Sequence, residues 1–101
     1  MTTIEQFRTT LAVAAPPAGL GAALEAMWWL GREDWTRAHE TVQAHEGKRD
    51  CDWVHAHLHR VEGDLANAAY WYRAARQPVA SGDLKSEWAE IAAALLKGPL
   101  T

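Results

Sequence analysis

The stretches REDWTRAHETV (Arg32 to Val42) and EGDLANAAYWY (Glu62 to Tyr72) align at an offset of 30 residues. Asp34 falls on Asp64, Trp35 on Leu65 and Ala38 on Ala68. The segments before them align too: Leu24 with Val54, Ala26 with Ala56 and Trp28 with Leu58. Each unit is two apolar-striped segments joined by a tight turn, so the repeat reads as a helical hairpin used twice. One such hairpin has an apolar face that it cannot bury alone, and stacking a second one buries it. A chain built this way folds as helices packed on helices.

The rest of the sequence agrees. No alternating apolar–polar run occurs, and alanine, leucine, glutamate and tryptophan recur at helical spacing. Six helices are expected. The first covers Thr3 to Ala15, with a capping box of Thr2 and Glu5 or of Thr3 and Gln6, and ends at Pro16 and Pro17. The second covers Gly19 to Leu30, with Gly31 at its C-terminus. The third opens at Asp34 and reaches His45; the fourth opens at Asp50 or Asp52 and ends at Gly63. Asp64 caps the fifth, which runs to Arg76, and Asp83 caps the sixth, which runs to Lys97. Helices one and six then cover the ends of the stack. The fold class is all-α, in one domain spanning residues 1–101.

Composition removes several functions. Hydrophobic residues make up 49% of the chain, enough for a core. Ten basic and thirteen acidic residues leave a net charge of −3 with no basic stripe. That argues against nucleic acid and against a membrane-surface helix. Cys51 is the lone cysteine, which fits a reducing compartment. TLAVAAPPA resembles a secretory leader only faintly: its apolar run is Leu11 to Ala15, and Glu5 precedes it. The expected setting is cytoplasmic. Gly19 and Gly21 lack the preceding strand that a dinucleotide fingerprint needs, and no cofactor is expected.

The second hairpin resembles a tetratricopeptide repeat. Ala56 matches the small residue of that motif's first helix, and Gly63, Asp64 and Leu65 its turn. Ala68 follows Ala56 by twelve residues; Tyr72, Ala75 and Pro78 match its aromatic, small and closing positions. In the first hairpin Ala26 and Ala38 keep the spacing, but Glu33 stands where the turn glycine belongs. The run HAHLHRVEGDLANAAYWYRAA also resembles one in small, uncharacterised bacterial proteins, which implies no activity. The resemblance implies two stacked tetratricopeptide-like hairpins. It also places Trp53, His57 and Arg60 on a concave face with Ala23, Met27 and Leu30. Those residues suit a protein or peptide partner, or a small acidic ligand, and tryptophan and arginine are common interface anchors. The alternative is that the first helix, with Ile4, Phe7 and Leu11, fills the concavity.

The fourth helix also carries polar residues where the repeat is usually apolar: Asp52, His55 and His59. At about 100° per residue, His55, His59 and Glu62 share one stripe. Two imidazoles and a carboxylate there suit a zinc-class ion, with His39 of the third helix available to complete the set. The spacing lacks the glutamate of the H-E-x-x-H pattern. The plainer alternative is that both histidines hydrogen-bond to Tyr70, Asn67 or a carbonyl inside the hairpin. A His–Glu pair also suits acid–base chemistry, but no nucleophile stands out.

Elsewhere, Trp71 and Tyr72 belong to the apolar face of the fifth helix with Leu65, Ala68 and Ala75. Cys51 lies beside Lys48 and Arg49, which would activate a thiolate, but Asp50 and Asp52 oppose them. Six tryptophans leave enough aromatic surface for a homodimer. The function expected is a small helical-repeat binding module for a peptide or small acidic ligand, through Met27, Trp53, His57 and Arg60. The alternative is a small metalloprotein or enzyme using His55, His59 and Glu62.

Overall fold

The computed structural model describes residues 2–98 and residue 100. The described residues form six helices and no strand: α1 (Ile4–Thr10), α2 (Ala22–Gly31), α3 (Trp35–Gln43), α4 (Arg49–Glu62), α5 (Leu65–Ala74) and α6 (Leu84–Leu96). Local chemistry sets most of the starts. Thr3 and Gln6 make the capping box of α1. Asp34, Asp64 and Asp83 accept from the backbone N–H of Arg37, Asn67 and Ser86, at the starts of α3, α5 and α6. α4 begins earlier than expected, at Arg49 after Lys48, with no side-chain cap. Asp50 and Asp52 instead accept from the N–H of Cys51 and Gly47.

α1 is shorter than its sequence suggests. It stops at Thr10 because the backbone beyond has a better partner: Arg32 donates to the carbonyls of Leu11 and Val13 at 2.8 and 2.7 Å. α2 begins only at Ala22, and Gly31 is its last residue. A Cβ at Gly31 would sit 2.9 Å from Leu11 and 3.1 Å from Trp88, so the glycine permits their close approach. The left-handed residue of the α2–α3 turn is Glu33, with φ +62°, where the α4–α5 turn uses Gly63, with φ +89°.

α2 pairs with α3 and α4 with α5, and α3 packs on α4. Ala26, Ala38, Ala56 and Ala68 are all buried, which lets the paired backbones approach. α6 does not extend the stack by lying on α5. It packs against α2 and α4, and α1 packs on α6, where Phe7 stacks on Trp88 with ring centroids 5.9 Å apart. The core therefore runs between α2, α4 and α6, around Met27, Trp28, Val54, Leu58, Tyr72 and Ile91. With no helix laid over the outer face of α5, Leu65 is 65% exposed. That corrects its expected place in the core beside Ala68 and Tyr72.

Candidate functional site

The face expected to be open is closed. Met27 and His57 are fully buried, Trp53 nearly so, and the Arg60 side chain is only 10% exposed. α6 covers them, whereas the alternative had placed the first helix there. The contact is chemically specific. Glu87 of α6 accepts from His57 Nδ1 at 2.6 Å, from Arg60 Nη1 at 2.7 Å and from the Tyr72 hydroxyl. Arg60 also donates to the carbonyl of Gly82. Burial alone would raise the Glu87 carboxyl, but the hydrogen bonds from His57, Tyr72 and Arg60 bring it below its ordinary value. Burial first, then the Glu87 carboxylate, push the Tyr72 phenol up.

The opposite side of α4 is built differently. The imidazoles of His39, His55 and His59 converge, with one ring nitrogen of each within 4.8 Å of the others. His39 comes from α3 and the other two from successive turns of α4. The Nε2 atoms of His39 and His55 are 3.1 Å apart. Two nitrogens at zinc distances on a tetrahedral ion would be about 3.3 Å apart. The Nδ1 atom of His59 lies 2.5 Å from a Glu62 carboxylate oxygen. A carboxylate only accepts, so Nδ1 carries a proton, and in the neutral form of the ring the lone pair of His59 is on Nε2. This is the support that metal-bound histidines use, a carboxylate behind the ligand ring. Glu62 thus backs His59, and His39 joins His55 and His59 where the sequence had offered Glu62; Glu62 also meets His59 and Asp64 in a second, more exposed group.

Aromatic rings hold the cluster. His55 stacks on Trp71 at 3.9 Å and His39 on Trp35 at 4.8 Å. Burial first, then the neighbouring His39 and His59, lower the pKa of His55 to about 4. Burial and His59 lower that of His39 as well. Both rings are thus held neutral, the form that binds metal. The Nδ1 of His55 is buried without a hydrogen-bond partner among the described residues. Neither Tyr70 nor Asn67 nor a carbonyl among the described residues bonds to the His55 ring, whose Nε2 pairs instead with His39. Tyr70 is exposed and turns edge-on to Trp71.

Cys51 is buried, and its thiol is pushed up to about 12, by desolvation first and then by Asp50. It is a packing residue and not a nucleophile. The residue that sequence reasoning missed is Glu87. Its signal was present, since positions 87, 91 and 95 share a helical face and Glu87 is the one acid in line with Ile91 and Leu95.

Comparison with known proteins finds no matching family model, no matching curated protein and no matching solved structure. No helix among the described residues is long and apolar enough to cross a membrane.

Proposed function

We propose that this chain is a small metal-binding protein of tetratricopeptide-like build, with His39, His55 and His59 as ligands for a zinc-class divalent ion. The observation that carries the reading is the convergence of three imidazoles from two helices, one of them oriented by a carboxylate. Imidazole suits zinc, copper, nickel and iron, and three protein ligands leave a fourth position for water or a substrate atom. His39 is half-buried and forms the side of the cluster nearest solvent. A cytoplasmic setting goes with this reading, supported by the buried free thiol of Cys51.

The test is a calorimetric titration of chelator-stripped protein with zinc, followed by a thermal melt. One equivalent should bind and raise the melting temperature by several degrees. His39→Ala removes a ligand, so it should abolish uptake, and the metal-free protein should melt somewhat earlier because Trp35 and His55 Nε2 lose their partner. Equal uptake by the wild type and His39→Ala would overturn the assignment.

A second reading, a binding module for acidic segments, is supported by the Glu87 contact. An acidic side chain already sits between His57 and Arg60, as a guest carboxylate would. In that reading α6 is the chain's own occupant of the face, and an acidic peptide or a second copy would have to displace it.

A further inference from the structure

A cavity of about 330 Å³ is walled by residues 77–82, by Trp53 of α4 and by Glu87 and Glu90 of α6. That volume falls in the range of pockets that take small organic ligands. Its wall holds two acids and no base; Gln77 and Ser81 are its other polar side chains. None of the three clustered histidines lines it.

Trp53 stands apart from the other tryptophans. Five of the six have a ring partner. Arg8, Arg32 and Arg37 lie over Trp88, Trp28 and Trp29, at 5.9, 5.4 and 4.6 Å from the ring centroids. Trp35 and Trp71 stack on His39 and His55. Among the described residues the ring of Trp53 has neither an aromatic nor a cationic partner. Trp53 is 8% exposed, and it lines this cavity. The face of an indole attracts cations more strongly than any other side-chain ring.

The two acids differ. Glu87 is buried and occupied by His57, Arg60 and the Tyr72 hydroxyl, and Arg60 offsets its charge. Glu90 is exposed and has no hydrogen bond or ion pair among the described residues. Residues three apart on a helix are neighbours, so Glu90 stands beside Glu87 on α6. Arg60 cannot serve both, because its remaining contact is the carbonyl of Gly82. The segment between α5 and α6 adds acceptors: the carbonyls of residues 78–81 receive no hydrogen bond among the described residues. An unpartnered indole, an unpaired acid and free carbonyls together favour a cation that can donate hydrogen bonds. An anion would meet Glu90 with no base in the wall to offset it.

We propose that this cavity binds a small organic ammonium ion, a primary amine on an apolar stem, with its charged head between the Trp53 ring and the Glu90 side chain. Pro78 and Val79 give the stem apolar surface. The site is separate from the histidine cluster and does not rest on the metal reading.

The test compares benzylamine, a cation at neutral pH, with benzyl alcohol, its uncharged counterpart, by calorimetry on metal-free full-length protein. The amine should bind about tenfold more tightly or better. Glu90→Gln should lower the amine affinity by about five- to tenfold and leave that of the alcohol unchanged. Glu90→Lys sets a cation of the chain's own on the wall and should abolish amine binding. Glu90 is exposed, so neither variant disturbs the core. Trp53→Leu should shrink the ratio of the two affinities, a readout from which any general loosening of the cavity divides out. Glu40→Gln removes an exposed acid of α3 instead and should change nothing. Equal affinity of amine and alcohol for the wild type would overturn the proposal. So would failure of benzylamine to bind at millimolar concentration, full binding by Glu90→Lys, or an unchanged ratio in Trp53→Leu. His39→Ala should bind benzylamine as the wild type does, so failure here and failure of the metal reading are distinguishable.

Discussion

His39 and His55 meet across the packing of α3 on α4 with their Nε2 atoms 3.1 Å apart. Sixteen positions separate them in the chain, and each is backed by a tryptophan: Trp35 behind His39 and Trp71 behind His55. Neutral rings in that arrangement share one proton at most between the facing nitrogens. A metal ion would take both lone pairs at once, which is the physical case for the site.

Glu62 lies outside that contact but decides the orientation of the third ring. Glu62→Gln keeps the size and loses the charge that holds the proton on His59 Nδ1. Zinc affinity should fall by about 10- to 100-fold while the metal-free melting temperature moves little. Competition titration against a chromogenic chelator reads this directly. Unchanged affinity would show that Glu62 is only a surface partner of His59.

The metal-free protein should lose stability as acid reaches the cluster. The pKa of His55 lies near 4 in the fold against 6.5 unperturbed, so between these values the unfolded chain binds the extra proton. Stability is therefore full above pH 6.5 and falls as pH drops towards 4, by at most about 1.4 kcal/mol per pH unit for this group. Urea midpoints measured from pH 7.5 to 4.5 should decline, and should decline less in His55→Gln. Glu87, held below its ordinary value, adds a further loss only in more acid solution.

Glu87→Ala should be among the most damaging single changes. It leaves Arg60 charged beneath α6, and removes the acceptor of His57 and Tyr72. A loss of about 3–5 kcal/mol is expected in chemical denaturation. Tyr72→Phe removes one donor from the same carboxylate and should cost about 1–2 kcal/mol. If the two variants melt alike, the carboxylate is not the centre of the network.

The two hairpin turns make a backbone test. Glu33 holds a left-handed conformation that Gly63 adopts without strain in the equivalent turn. Glu33→Gly should stabilise by about 0.5–1 kcal/mol. Gly31→Ala, two residues earlier, should destabilise, because the new methyl meets Leu11 and Trp88. Opposite signs from neighbouring positions, measured by thermal melts, would separate backbone strain from packing.

Much of this protein was legible from the residues alone. The six helices, the caps at Thr3, Asp34, Asp64 and Asp83, and the pairing of helices adjacent in the chain all rest on interactions that close within a few residues or across one short turn. The shared stripe of His55 and His59 was legible for the same reason, being one turn of one helix. The destination of α6 was not. The segment 75–83 lets that helix lie over α5 or fold back over α2 and α4, and local spacing does not distinguish the two. Packing decides it, by setting Glu87 among His57, Arg60 and Tyr72 and seating Trp88 against Phe7. That choice turned the face expected to be open into the core, left Leu65 exposed, and set Glu87 and Glu90 around one cavity with Trp53. Contacts across 15 to 30 residues depend on how rigid helices stack, and only the tertiary structure holds that information.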